Sequence, residues 1–336
     1  MLRRLASPEL GAWPGHVVSL AAVCMCTSRP RAKQSLGQNF LSDDAVAREI
    51  VGALRDADTG DGGVRVLELG PGQGALTGHL AAAYPQMTAY EIDRRMVSVL
   101  RETLPDVDVR MEDMLRLDLS AEAAGRGGRL AVISNTPFYL TSPLLFKLLG
   151  EIDAVSTAVL TMQREVADKV LSPPRNKEYG ILSVMLQLFG APERTLVIPP
   201  EAFSPAPKCH VSALRFCLDS KPGSTADAPL TASARAKLLG LLKLAFEQRR
   251  KMLRKSLKPL LSSAATTPPD SWLSLRPEQL EPLQFVELAE MIFGPGIDDG
   301  AQPGARADGR HRQQQGPYPA WKPYKAGFSR PAERDD

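Results

Sequence analysis

The sequence feature that most restricts the fold is a glycine-rich turn, Glu68-Leu69-Gly70-Pro71-Gly72-Gln73-Gly74, set directly behind the short apolar run 64–69. A run of that length closed by glycine reads as a buried strand, and Gly70, Gly72 and Gly74 let the backbone approach a ligand closely before the next helix begins. Further short apolar runs occur at 87–92, 107–111, 130–134 and 155–162, with helix-like stretches such as 94–103 and 143–149 between them. Ahead of the turn, Ala45, Val46, Ile50, Val51 and Leu54 recur at helical spacing over 42–54; Ser42 or Asp43 is placed to cap that helix, and the Gly and Asp cluster 58–63 ends it. Strands alternating with helices predict a mostly parallel sheet covered on both faces, an α/β fold of Rossmann-like type.

The pattern changes after Leu218. Residues 231–257 read as one long helix and 277–293 as another, the latter carrying Leu280, Leu283, Phe285, Val286, Leu288, Ala289 and Ile292 at apolar positions. The expected organisation is a leader (1–33), a sheet domain (34–218), a linker (219–230), a small all-α C-terminal domain (231–293) and a tail (294–336). The tail holds too few apolar residues to offset the cost of chain ordering and is expected to be disordered. With 43% hydrophobic and 24% charged residues the chain is otherwise ordinary globular material. The longest early apolar run, 17–26, falls short of the ~18 residues a bilayer span needs and is interrupted by Ser19, so no membrane anchor is expected. Cys24, Cys26, Cys209 and Cys217 lack zinc-ligand spacing, and no metal site is expected. In the leader, Arg3, Arg4, Arg29, Arg31 and Lys33 stand against the single acid Glu9. That balance suits an organelle transit peptide, with the mitochondrion ahead of the plastid; a secretory-type signal and a frayed, solvated N-terminus are the alternatives.

The glycine spacing separates two kinds of ligand. A dinucleotide fingerprint, Gly-x-Gly-x-x-Gly, seats a pyrophosphate on a helix N-terminus, but here the third glycine comes one place early. Glu68, just ahead of the turn, suits the cationic amino-acid end of S-adenosylmethionine better than a pyrophosphate; a purely structural turn is the alternative. Glu91 lies about twenty residues beyond the glycines, where an acid accepts hydrogen bonds from ribose hydroxyls unless it is only a solvated loop carboxylate. Asp113, after the third strand, either reads an adenine amine or caps the next turn.

Asn135-Thr136-Pro137-Phe138, at the end of the fourth strand, resembles the Asn-x-Pro-Tyr/Phe motif of methyltransferases that modify exocyclic amines. Adenine N6 shares its lone pair with the ring and is a poor nucleophile until that pair is localised. The Asn135 side-chain oxygen and the Thr136 carbonyl can both accept hydrogen bonds from the amine, favouring a pyramidal nitrogen. Phe138 offers a stacking face worth about 1–3 kcal/mol in single-strand binding sites. A plain turn with a core phenylalanine is the alternative. Downstream, Arg235, Lys237, Lys243, Arg249, Arg250, Lys251, Arg254, Lys255 and Lys258 stand against Glu247 alone. The net charge of +3 says little, but this one-sided stretch suits phosphate contacts along folded RNA, with a solvated face as the alternative.

Together these segments resemble the ribosomal RNA adenine N6-dimethyltransferase family of the KsgA type, organellar members included, over 34–293. Ser35-Leu36-Gly37-Gln38-Asn39-Phe40-Leu41, Glu178-Tyr179-Gly180-Ile181-Leu182-Ser183-Val184 and Phe203-Ser204-Pro205-Ala206-Pro207-Lys208 match family segments, and 246–257 resembles the family's basic helix. The resemblance implies S-adenosyl-L-methionine held by Gln38, Asn39, Leu41, Glu68, Gly70, Gly72, Gly74, Glu91, Ile92, Asp113, Met114 and Asn135. It implies a catalytic set of Asn135, Thr136, Pro137, Phe138 and Phe203, the two phenylalanines sandwiching the base, and RNA contacts from Arg249, Arg250, Lys251, Arg254 and Lys255. The implied reaction is direct, in-line dimethylation of two neighbouring adenines in a hairpin near the 3′ end of small-subunit ribosomal RNA by a monomer during subunit maturation. Three departures stand out. Phe138 replaces a common Tyr and keeps the stacking face; Thr136 replaces Leu or Ile where the contact is a backbone carbonyl; Tyr139 replaces a small polar residue and bears on the second methyl transfer. A mitochondrial transcription factor of the B type, a DNA- and polymerase-binding protein of the same fold, is the alternative from another class. A DNA adenine methyltransferase and an oxidoreductase fit less well.

Overall fold

A computed structural model of the chain describes residues 30–32, 37–55, 57–219 and 229–294. The expected leader, linker and tail therefore fall almost wholly outside the described residues.

The chain enters through β1 (Phe40–Leu41) and α1 (Asp44–Gly52), whose cap is Asp43: its carboxylate accepts from the N–H groups of Ala45 and Val46. Then come β2 (Val66–Leu69), α2 (Thr77–Ala83), β3 (Thr88–Glu91), α3 (Arg94–Thr103), β4 (Asp108–Met111), α4 (Leu119–Gly125), β5 (Leu130–Ser134), α5 (Thr141–Gly150) and β6 (Val155–Gln163). The predicted strands are all present, within two residues at each end. Every residue of β2, β3 and β5 is buried, as central parallel strands covered on both faces must be. Asp93 and Asp118 cap α3 and α4, so carboxylates follow the strands at the ligand end of the sheet.

Beyond β6 the structure contains strands that the sequence pattern did not reveal. After α6 (Arg164–Leu171) and α7 (Ile181–Phe189) the chain forms β7 (Glu193–Ile198), the two-residue β8 (Phe203–Ser204) and β9 (Val211–Cys217). The seven-stranded sheet runs β4-β3-β2-β5-β6-β9-β7, with parallel pairing from β4 to β6 and β9 inserted antiparallel between β6 and β7. β1 and β8 pair separately, Leu41 opposite Phe203. Strand order reverses at β2, and in an open sheet of this kind the ligand crevice lies at the carboxyl ends of the strands beside such a switch point.

The single long helix expected over 231–257 is broken. It becomes α8 (Ala232–Glu247), α9 (Leu253–Ser256) and α10 (Lys258–Leu261), with α11 (Asp270–Leu273) and α12 (Pro282–Phe293) completing the C-terminal part. Gln248 leaves helical geometry, and the chain turns so that Leu253 and Leu257 are fully buried and the Leu253 N–H donates to the Leu275 carbonyl at 2.8 Å. Burial and that tertiary hydrogen bond outweigh helical continuity, a preference no local periodicity reports. The helices share one apolar cluster with the sheet, in which Leu144, Leu148, Val184 and Leu188 meet Leu238, Leu241, Phe285 and Leu288. Phe246 sits between the rings of Tyr179 and Phe285, and the Tyr179 hydroxyl donates to the Leu280 carbonyl at 3.0 Å. Arg235, expected on a basic face, is buried and ion-paired with Asp153 at 2.7 Å.

Candidate active site

A cleft partly open to solvent lies at the carboxyl ends of β2, β3 and β5. Its walls include Gln38, Asn39, Leu41, Gly70, Gly72, Glu91, Ile92, Met114, Asn135, Thr136, Pro137, Phe138 and Phe203, all of them expected site residues, together with Gly37, Phe40, Tyr139 and Leu140. The β1–β8 pair explains how segments far apart in sequence meet here. It sets Phe40 and Leu41 against Ser204 and Phe203, and the Ser42 N–H and hydroxyl both donate to the Ala202 carbonyl, at 2.8 and 3.0 Å. Gln38 reaches across to Asp93, its Nε2 3.3 Å from Oδ2.

The glycine turn and Glu91 form one unit. Gly72 sits at φ +56° and its N–H donates to Glu91 Oε2 at 3.0 Å, while the Asp93 N–H donates to Oε1 at 2.8 Å. A Cβ on Gly72 would come within 3.1 Å of the Phe40 ring, so the turn presents bare backbone to the cleft. Burial raises the Glu91 carboxyl above its ordinary pKa, and the backbone N–H groups of Asp93, Gly72 and Ile92 pull it back. The carboxylate retains acceptor capacity for a ribose hydroxyl. Ile92, more than half exposed, and Met114 supply an apolar slot beside it.

Three expected contacts are not brought into this cleft. Glu68 is 1% exposed, buried between the turn and the start of α2; desolvation drives its pKa up to about 8, lowered somewhat by the Thr77 hydroxyl and raised further by Glu91. Its Oε2 has no hydrogen-bond partner. Glu68 is therefore not in direct contact with the cleft. Asp113 caps the next turn, Oδ1 accepting from the Leu115 N–H at 2.9 Å, and Met114 takes its place on the wall. Gly74 faces a separate hollow on the other side of the turn, beside Asp44 and His79.

The Asn-Thr-Pro-Phe segment is held by side chains from both sides. Ser134 donates to the Leu69 carbonyl at 2.6 Å and Thr136 donates to the Ser134 hydroxyl at 3.0 Å, which gives the Thr136 side chain a structural role of its own. Asn135 Nδ2 lies 3.5 Å from the Asn39 carbonyl, and its Oδ1 accepts from the Thr161 hydroxyl at 2.7 Å. Phe138 and Phe203 belong to the same apolar cluster beneath the cleft, Phe203 being 4% exposed. Sequence reasoning missed Thr161; its only signal was a hydroxyl in the otherwise apolar run Ala158-Val159-Leu160-Thr161-Met162.

The basic stretch is sorted by the break after α8. Arg250, Lys251, Arg254 and Lys255 are exposed, with Arg254 also donating to the Ser274 hydroxyl, whereas Arg249 is half-buried and tied down, donating to the Asn176 carbonyl at 2.9 Å and pairing with Glu278 at 3.7 Å. It is a strut between the helical part and the loop before α7, and not a free phosphate ligand.

The residues fit S-adenosylmethionine. The bare backbone of Gly72 faces the cleft, a buried carboxyl with one oxygen unpartnered lies under the turn, and a diol-accepting acid and an apolar slot stand beside it. A sheet in this order carrying that crevice defines the class: the fold is that of S-adenosylmethionine-dependent methyltransferases. Residues 29–289 match the family model of ribosomal RNA adenine dimethylase, and the chain belongs to that family. It is 46% identical over 264 residues to ribosomal RNA small subunit methyltransferase A of Salinibacter ruber, covering 78% of this chain and 85% of the relative. With the protein of the same name from Acidithiobacillus ferrooxidans it shares 35% over 269 residues, covering 80% and 97%. The 23S rRNA methyltransferase ErmE is similar in structure, with TM-score 0.51 and 27% identity over 76% of this chain and 99% of that one. A dimethyladenosine transferase from Plasmodium falciparum shares the fold, with TM-score 0.60 and 21% identity over 74% and 95%.

Proposed function

We propose that the protein transfers methyl groups from S-adenosylmethionine to N6 of two adjacent adenines in the 3′-terminal hairpin of small-subunit ribosomal RNA, as a step in subunit maturation. The observation that carries this is Asn135, held at both ends of its amide on the cleft wall beside Phe138 and Phe203. The bound cofactor supplies an electrophilic methyl group on a sulfonium. Glu91 and the glycine turn hold its ribose and amino-acid ends, with Ile92 and Met114 on its base. In the first transfer Asn135 Oδ1 and the Thr136 carbonyl would accept from the two N6–H groups, and in the second one of them would accept from the single N–H that remains, so the nitrogen lone pair leaves conjugation with the ring. Each transfer forms one N–CH3 bond as the S–CH3 bond breaks, with the thioether as leaving group and one N6 proton passing to solvent, while Phe138 and Phe203 hold the base plane. Proximity and orientation supply most of the acceleration, and no strong base is needed. The test is mass spectrometry of RNA from undermethylated small-subunit particles incubated with the protein and S-adenosylmethionine. N6,N6-dimethyladenosine supports the reading, whereas binding without modification would favour the transcription-factor alternative, which an intact cleft and methyltransferase relatives argue against.

The exposed cations Arg250, Lys251, Arg254 and Lys255 position the RNA through its phosphates. Replacing Arg250 and Lys251 by alanine is expected to weaken binding and to flatten the plot of log affinity against log salt by roughly 0.7–0.9 per cation removed. An unchanged slope in a filter-binding titration would remove them from the interface. The protein is proposed to act as a monomer on a precursor particle in mitochondria. The basic, acid-poor residues 1–33 support that address. Fused to a fluorescent protein, they should carry it into mitochondria; plastid or cytosolic fluorescence would refute it. No helix among the described residues is long and apolar enough to cross a membrane.

A further inference from the structure

The parallel register of β5 on β6 sets Ser134 opposite Leu160, so the next residues, Asn135 and Thr161, come side by side where the two strands reach the cleft. Thr161 is fully buried and is not part of the cleft wall. A hydroxyl inside an apolar strand is costly unless it is hydrogen-bonded, and a valine would fill the same space without that cost. Its hydroxyl donates to Asn135 Oδ1 at 2.7 Å. On the other side, Nδ2 faces the Asn39 carbonyl, which can only accept. The two contacts agree on one orientation of the amide. Turning it over would set Oδ1 against the Asn39 carbonyl oxygen, leaving two acceptors face to face.

We propose that Thr161 is a positioning residue for methyl transfer: by occupying one lone pair of Asn135 Oδ1 it locks the amide so that the other lone pair is presented to the target amine. This rests on the function proposed above. Thr161 touches neither substrate nor cofactor, and its effect passes entirely through Asn135. The hydroxyl, not the side-chain volume, is what matters, so serine suffices and valine does not. Two segments consequently set the geometry of one amide, β6 from behind and the segment over the cleft from in front.

The experiment compares Thr161→Val and Thr161→Ser with the parent chain. Single-turnover methylation of undermethylated particles is expected to slow about tenfold in T161V, the worth of a hydrogen bond of ordinary net strength, and to recover in T161S. Affinities for S-adenosylmethionine and for the particle should stay within about twofold, since the ordinary worth of that bond is charged to the transfer step alone. In the free protein, 15N relaxation of the Asn135 side-chain amide should report a rigid group in the parent and in T161S and a mobile one in T161V. Combined with Asn135→Ala, T161V should cost nothing further, because its route is already cut. The proposal is overturned by an equally rigid amide in T161V, by equal rates for parent and T161V, by T161S failing as T161V does, or by a T161V loss that multiplies with that of Asn135→Ala. If the parent chain itself methylates nothing while its Asn135 amide is locked and T161V frees it, the proposed function fails and the positioning does not. If T161V cannot be obtained folded, T161S and the relaxation of the parent amide decide it.

Discussion

Asn135→Ala is expected to abolish dimethylation of small-subunit particles, lowering the transfer rate by about 10²–10³, the usual loss when one pre-aimed polar group at a reacting centre is removed. The change deletes the acceptor for one N6–H and leaves the buried Thr161 hydroxyl without a partner. That second effect costs on the order of 1–3 kcal/mol of stability. The variant should therefore melt a few degrees lower yet remain folded, and it should still bind the particle, since the cations proposed to contact its phosphates lie elsewhere. Mass spectrometry of the RNA, with a melting curve and a binding titration on the same preparation, separates these outcomes. Full activity in a folded Asn135→Ala protein would show that the amine is oriented by something other than this side chain.

Glu68→Gln is expected to make the free protein more stable, and increasingly so as pH rises. The Glu68 carboxyl is driven by burial from an ordinary 4.5 to about 8, so between those values the folded chain holds a proton that the unfolded chain has lost. A raised carboxyl contributes full stability below its unfolded pKa and loses it as pH climbs through the folded one. Across that window the parent should lose about 1.4 kcal/mol per pH unit relative to the glutamine variant, on the order of 5 kcal/mol in all. The measurement is chemical denaturation of both proteins at several pH values from 5 to 8.5, chosen to bracket the cited shift. A difference that stays flat with pH would mean that Glu68 is ionised in the folded protein. A cation seated on the glycine turn favours the ionised form, so the cofactor should bind the parent more tightly at pH 8 than at lower pH, and the variant should show no such trend. On the proposed function the buried carboxyl is a liability in the free protein that the cationic amino-acid end of the cofactor would offset.

The strand and helix succession through β6 was legible in the sequence because each unit declares itself locally. Leu130 to Ser134 is an unbroken apolar run that emerges as β5 without a residue's difference, and Arg94–Thr103 emerges likewise as α3. The glycine turn, Glu91 and the Asn-Thr-Pro-Phe segment were also legible, since their residue types are demanded by the chemistry they serve and sit at strand ends that pattern alone locates. Local pattern was therefore enough for the α/β class and for the place of the cleft at the carboxyl ends of the strands, whereas Gln38, Asn39, Leu41, Ile92, Met114 and Phe203 on its walls came from the family resemblance. Long-range packing was needed to put Glu68 beneath the turn, to make Asp113 cap its own loop, to turn Arg249 into a strut and to break the long helical pattern at Gln248. Packing also brought Thr161 to Asn135 and paired Leu41 with Phe203. One cause underlies all of these differences: periodicity and spacing report what neighbours along the chain prefer, whereas desolvation, strand register and the choice of a hydrogen-bond partner depend on residues many positions away.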